Sequence, residues 1–352
     1  MRPNVLLITL DQFRGDSLSC AGHPVVRTPH LDHLAAHGTR FARHYSQAAP
    51  CAPGRAALYT GMYQMNNRVV ANGTPLDHRI DNVARVGIRA GYHPVVFGYT
   101  DVGADPRQIT DPTDWRLSHY EGVLPGFDEL LCLDERHEPW LEWLRSLGYD
   151  ATDPDVMLAT EHERPAEHSV TTFLTDAFLG WLDTQDGPWF AHTSFIRPHP
   201  PYDAAGHYAT MYDDVAIPDP LPIPDDRHFL HDVLIANPHA GAPKEPEQVA
   251  HLRRQYWGMV SEVDFHLGRI WQRLRERGEW NNTIVIITAD HGEQLCDQGL
   301  VQKAGFFESS YHIIGIVRDP RHPQGFGQVV DHFTENVDIM PTLCEALGQP
   351  VP

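Results

Sequence analysis

The 352-residue chain is 41% hydrophobic and 21% charged, enough apolar content to bury a large core and too much for a disordered segment. Its 47 acidic against 27 basic residues give a formal charge of -20, which repels phosphate backbones and anionic lipid and argues against nucleic-acid and membrane partners. No apolar run approaches the roughly 20 residues that span a bilayer, and five scattered cysteines with no Cys-x-x-Cys pair argue against a disulfide framework and fit a reducing cytoplasm.

In chain order, the apolar run Val5–Leu10 meets Asp11 rather than a small-residue cleavage site, so it reads as a first strand and not as a leader. Thr28 as N-cap, Pro29 at the first helical position and Gly38 as stop predict a helix that buries Leu31, Leu34 and Ala35. Pro53 fits the first turn of a short helix ended by Gly61. That places Cys51 at a helix N-terminus, where N–H groups and the dipole favour an anion, with Arg55 adding a planar positive fork. Taken alone, Cys51 reads as a small buried cysteine.

Val95–Phe97 reads as a strand leading into Tyr99, Thr100 and Asp101. The segment 134–164, with Trp140 and Trp143, reads either as an inserted helix or as a lid. A helical face recurs at Val170, Phe173, Leu174, Ala177, Phe178 and Trp181, followed by a strand over Trp189–Ile196 that leads into Arg197, Pro198 and His199. Segment 198–226 has neither periodicity and reads as a long loop over one face of the sheet. A long helix carries Leu252, Tyr256, Met259, Val263, Leu267, Ile270 and Leu274, then a strand over Ile284–Thr288 precedes Asp290 and His291. A last short helix runs near 341–347, stopped by Gly348, and the chain is read as one domain over 1–352.

Strands alternating with helices predict an α/β fold with a mostly parallel sheet. In such sheets the ligand crevice lies beyond the carboxyl ends of the strands, so the four polar strand exits are expected to converge. Asp11, Gln12, Asp290 and His291 then supply two carboxylates, one amide oxygen and one imidazole, a set suited to Ca²⁺, Mn²⁺ or Mg²⁺. Each pair alone is an ordinary turn or cap. No Gly-x-Gly-x-x-Gly follows the first strand, which argues against a dinucleotide site.

Cys51-x-Pro53-x-Arg55 with Thr60-Gly61 downstream resembles the sulfatase-family motif whose cysteine is oxidised to formylglycine, and the order Asp-Gln, Cys-x-Pro-x-Arg, Asp-His is reproduced around it. Gln12, His291, the run Asn72–Leu76, the run Phe97–Asp101 and Lys303 resemble the phosphonate monoester hydrolase and phosphodiesterase branch more than ordinary arylsulfatases. The resemblance spans Pro3 to about Leu347. It implies an alkaline-phosphatase-like sheet with helices on both faces and a soluble hydrolase of small anionic esters. It further implies one divalent metal, Mn²⁺ or Ca²⁺, held by Asp11, Gln12, Asp290, His291 and the modified residue 51. By the same resemblance Cys51 is the nucleophile, Arg55 orients it, His199 protonates the leaving oxygen and Lys303 contacts non-bridging oxygens. Asn72, Tyr99 and Asp101 then line the substrate pocket, and a formylglycine-generating enzyme is the maturation partner.

Two departures stand out. Family members usually continue beyond the last helix into a C-terminal subdomain that helps close the site and assemble homo-oligomers; the resemblance leads one to expect it short or missing here. Gln298 stands where a histidine is expected shortly before the lysine, which predicts altered leaving-group contacts. The alternatives are an arylsulfatase or choline-sulfatase-like enzyme and, from another class, a non-catalytic family member that binds metal or an anion.

Overall fold

The computed structural model describes residues 2–117, 119 and 121–352. Among them eight strands form one sheet: β1 (Asn4–Leu10), β2 (Thr39–Tyr45), β3 (Pro94–Gly98), β4 (Asp128–Cys132), β5 (Phe190–Phe195), β6 (Thr283–Thr288), β7 (Gly315–Arg318) and β8 (Gln328–Glu335). Their order is β4-β3-β5-β1-β6-β7-β2-β8, with β7 antiparallel to both neighbours and every other pairing parallel.

The four strands expected from apolar runs are β1, β3, β5 and β6, which lie together at the centre and are buried along their whole length. Burial on both faces is what makes a parallel strand read as a continuous apolar run. The four not expected, β2, β4, β7 and β8, lie toward the edges. Residues Asp128–Cys132 and Gln328–Glu335 face water over much of their length, so their sequences carry charges instead of a run.

Alternation along β1 assigns the two faces. Leu6, Ile8 and Leu10 pack with helices Pro29–Ala36, Glu138–Ser146, Val170–Leu182 and Pro246–Glu276, while Val5 and Leu7 pack with helices Cys51–Thr60, Val83–Arg89 and Ile339–Ala346. The result is a sheet between two helical layers, as the pattern predicts.

Of three local expectations, the first needs adjustment and the structure decides the other two. The Thr28 hydroxyl does not cap the Pro29–Ala36 helix, because it is engaged by Ser19 (2.9 Å) and Asp32 (3.2 Å). The Asp264 carboxylate caps it instead, accepting from the Leu31 amide at 2.7 Å. Segment 134–164 is helical, with Glu138–Ser146 and Pro154–Leu158, and Trp140 is sunk in the core, so this insert is packed on the sheet. Segment 198–226 is the long loop expected, with one short turn of helix at Gly206–Ala209 and with Tyr208 and Tyr212 buried against the core.

Candidate active site

β1 and β6 are parallel neighbours with Thr9 opposite Thr288, so Asp11-Gln12 and Asp290-His291 leave the sheet side by side at one carboxyl edge. β5 and β3 lie next on the other side of β1 and deliver His199 and Tyr99–Asp101 to the same edge. The Cys51–Thr60 helix is buried at all ten positions and ends at Gly61 in the left-handed conformation (φ 65°). Its Gly54 admits no side chain, because a Cβ would collide with the Asp290 carbonyl oxygen. That close approach holds the helix N-terminus against the Asp290-His291 turn, with Cys51 Sγ 3.2 Å from His291 Nε2.

Arg55, one turn along the helix, does more than the sequence suggests. Its Nε donates to Asp290 Oδ2 (3.1 Å), one terminal nitrogen to Asp11 Oδ2 (3.0 Å) and the other to Ser194 Oγ (2.8 Å) and the Tyr99 carbonyl (3.2 Å). The Tyr99 ring lies 4.2 Å from the guanidinium carbon. Expected to orient residue 51, Arg55 spends its fork on the two carboxylates. An Arg shared between them offsets the cost of two anions with no solvent access.

Asp290 Oδ1 accepts the Gln12 (3.1 Å) and His291 (2.9 Å) amides. His291 Nδ1 donates to the Gly292 carbonyl at 3.0 Å, which leaves the Nε2 lone pair facing Cys51. The Gln12 carboxamide donates its NH₂ to Glu293 and presents Oε1 to Lys303 Nζ at 3.1 Å. Glu293 itself is fully buried and also accepts from the Tyr202 hydroxyl (2.8 Å) and the Gln302 amide (2.6 Å).

Asp11, Cys51, Asp290 and His291 each offer a ligand atom within 4.8 Å of the others. Asp11 Oδ1 is buried without any hydrogen-bond partner, although Oδ2 takes Arg55 and the Tyr99 hydroxyl. An orphaned buried carboxylate oxygen costs about 1–3 kcal/mol unless something occupies it. Oxygen donors with one imidazole fit a hard or borderline divalent cation.

The remaining expected residues line the same cavity, of about 170 Å³. Lys303 Nζ lies 3.1 Å from His199 Nε2, and His199 Nδ1 donates to the Pro200 carbonyl at 2.6 Å. Burial, with Lys303 beside it, pushes the His199 imidazole down to about 3, so His199 is neutral and accepts. The proton of this pair therefore rests on Lys303, whereas the sequence reading put it on His199. Burial raises the Asp101 carboxyl to about 8, and its Oδ1 has no partner. Asn72 Oδ1 accepts the Ala52 amide at 3.1 Å, so this wall residue also satisfies an N–H in the first turn of the Cys51 helix.

Gln298 does not line the cavity. Its backbone accepts from His231 Nε2 (2.8 Å) and donates to the Leu221 carbonyl (2.7 Å), so the expected change in leaving-group contacts is not borne by this side chain. Sequence reasoning missed Glu293, Ser194 and Tyr202, which brace the floor, and Glu121, Glu135, His137 and Asp155, which line the cavity. Glu293 was the one with a local signal, two residues after His291. A larger cavity of about 660 Å³, bounded by Phe41, Val317 and Glu345, brings together no such ligand set among the described residues.

A family model described as Sulfatase matches residues 3–349. The chain belongs to the sulfatase family. It is 33% identical over 385 residues to the multifunctional alkaline phosphatase superfamily protein PehA of Trinickia caryophylli, covering 100% of this chain and 75% of that protein. The solved phosphonate monoester hydrolase of Agrobacterium radiobacter superposes on this sulfatase-family chain with a TM-score of 0.92 at 43% identity, over 99% of this chain and 74% of that one. The phosphonate monoester hydrolase SpPMH of Silicibacter pomeroyi gives 0.91 at 37% identity, over 100% and 74%. The sulfatase family is metal-dependent and uses a formylglycine, and the alkaline-phosphatase-like sheet expected from the motifs is the fold found.

Proposed function

We propose that this chain hydrolyses phosphonate monoesters or phosphodiesters, with sulfate esters as secondary substrates, through a formylglycine at position 51. The observation that carries the reading is the convergence of Cys51 at a helix N-terminus with Asp11, Asp290 and His291 within 4.8 Å. Likeness to two phosphonate monoester hydrolases over nearly the whole chain supports phosphorus over sulfur. Burial also pushes the Cys51 thiol well above its ordinary value, so an unmodified residue 51 is a poor nucleophile at neutral pH.

Asp11, Gln12, residue 51, Asp290 and His291 would hold one divalent cation, Mn²⁺ or Ca²⁺, which when bound supplies Lewis acidity toward the ester's oxyanion. Arg55 keeps Asp11 and Asp290 in their ligating geometry. One hydroxyl of the residue 51 hydrate releases its proton to solvent and attacks phosphorus in line, and the bond to the leaving oxygen breaks. Lys303, relayed with His199, supplies the proton to that oxygen and faces the non-bridging oxygens. The second hydroxyl then returns a proton to the Lys303 amine, the carbonyl re-forms as the bond from its carbon to the phosphorus-bearing oxygen breaks, and the phosphonate or phosphate leaves. Water adds to the aldehyde and restores the hydrate. Asn72, Tyr99 and Asp101 shape the pocket around the transferred group.

All five cysteines are unpaired, which supports a reducing, cytoplasmic setting with a formylglycine-generating enzyme as maturation partner. Mass analysis of the peptide carrying residue 51 is expected to show the aldehyde or its hydrate, and matched aryl phosphonate, phosphodiester and sulfate esters are expected to rank in that order by kcat/KM. Sulfate turned over fastest makes the enzyme a sulfatase. A bare thiol in protein matured with the modifying enzyme favours the anion-binding reading instead.

A further inference from the structure

We propose that the mouth of the same cavity selects esters whose leaving alcohol carries a primary ammonium, a short amino alcohol, through Glu135, His137 and Asp155. This rests on the reading of the cavity as an ester-hydrolase site. Burial orders the lining: Asp11 and Cys51 lie at the floor, while the Glu135 side chain is 36% exposed and Asp155 is exposed at the rim. Among the described lining residues Lys303 is the one Lys or Arg, and it is engaged at the floor with Gln12 and His199. The mouth instead carries the carboxylates of Glu121, Glu135 and Asp155. An anionic ester with a neutral or anionic leaving group gains nothing from that wall.

Two groups there have unspent hydrogen-bonding capacity. Glu135 Oε1 is held by His119 Nδ1 at 2.6 Å, but Oε2 is buried without a partner. His137 is 3% exposed and neither ring nitrogen has a partner. Burial pushes its imidazole down to about 4, so at neutral pH it offers an acceptor nitrogen. A carboxylate oxygen and a neutral imidazole together ask for N–H donors on a cation.

The alternatives fit less well. A second metal ion needs ligands within reach of one another, and among the described residues these groups form no such cluster, unlike the Asp11 set. A quaternary ammonium is favoured by a cage of aromatic faces, and Tyr99, stacked on Arg55, is the one Phe, Trp or Tyr among the described lining residues. The cavity of about 170 Å³ limits the alcohol to a few carbons.

The test compares methylphosphonate mono-esters of 2-aminoethanol and of 1-propanol, which match in size and differ in charge. The ratio of their kcat/KM values is measured in the wild type, Glu135→Gln, Asp155→Asn and the double variant. Comparing ratios between proteins cancels leaving-group reactivity and the fraction of converted residue 51. The amine-to-propyl ratio is expected to fall about tenfold in Glu135→Gln and further in the double variant, with the fall reduced at high salt. Should Glu135→Gln not fold, rim-exposed Asp155→Asn carries the comparison. Calorimetric binding of both esters to Cys51→Ala reads the same preference without turnover. Preferred binding of the amine ester with no hydrolysis by wild type sinks the catalytic reading alone. Equal binding, or a ratio unmoved by the variants, overturns the ammonium site.

Discussion

The floor and the mouth of one cavity are built on opposite terms. At the floor, Asp11, Asp290, Arg55 and His291 are all buried and almost every polar atom is braced, the exception being Asp11 Oδ1. At the mouth, Glu135 and Asp155 sit on a helical insert, partly in water, and His137 is buried but unbraced. The chemistry proposed for the floor must place a nucleophile and a cation within tenths of an ångström, and its residues are mounted on the carboxyl ends of central strands and on the N-terminus of the Cys51–Thr60 helix. Recognition of the departing group is mounted on a connection that can change without disturbing them.

The comparison predicts large effects below and small ones above. Cys51→Ala is expected to lower kcat by about a thousandfold or more against a phosphonate monoester, with the fold retained by circular dichroism, because the nucleophile belongs to a unit that fails as a whole. Arg55→Ala leaves two buried carboxylates facing each other and is expected to cost about 3–5 kcal/mol in urea denaturation. A loss under 1 kcal/mol would mean water replaces the guanidinium and the floor is less dry than described. Stripping divalent metal with a chelator is expected to lower stability by about 2.7 kcal/mol relative to protein at a hundredfold excess of metal over Kd, read as a drop in Tm that Mn²⁺ or Ca²⁺ restores.

Acid should loosen the sheet beneath the floor. Burial pushes His192 from 6.5 to about 3 and His44 to about 4, so both stay neutral in the folded chain while the unfolded chain takes up protons below 6.5. Stability therefore falls as pH drops from about 6.5 toward 4, at roughly 1.4 kcal/mol per pH unit for each histidine. His44→Gln should flatten a plot of Tm against pH over that window. At the rim, Asp155→Ala is expected to change stability by under about 0.5 kcal/mol. A larger change would show that the mouth is as braced as the floor.

What was legible in the sequence follows the same division. Asp11-Gln12 and Asp290-His291 could be read because each follows an apolar run, and a parallel sheet carries such exits to one edge. The Cys51 helix could be read because Pro53 and Gly61 bracket it. Residues that act across long separations left no local trace. Ser194 reaches the helical Arg55 from β5, Asp264 caps a helix 233 residues away at Leu31, and Glu121, Glu135 and Asp155 line one cavity only once their separate segments pack over the sheet. His199 was found at its strand exit, but which partner holds the proton depends on the Pro200 carbonyl and Lys303, and so on the folded backbone. β4 and β8 were missed because solvent on one side lets charge interrupt the run.

The Cys51 helix has a consequence for timing. Its ten residues are all buried, and Cys51 itself is 6% exposed, pressed against the Asp290 turn. A second enzyme large enough to recognise several residues around a thiol has nothing to grip once the sheet has closed. The conversion proposed for position 51 would then come while that stretch is still an open peptide, during synthesis or soon after release. The yield of working enzyme becomes a race between folding and modification, so slower synthesis, or a less stable variant of the chain, should leave a larger converted fraction.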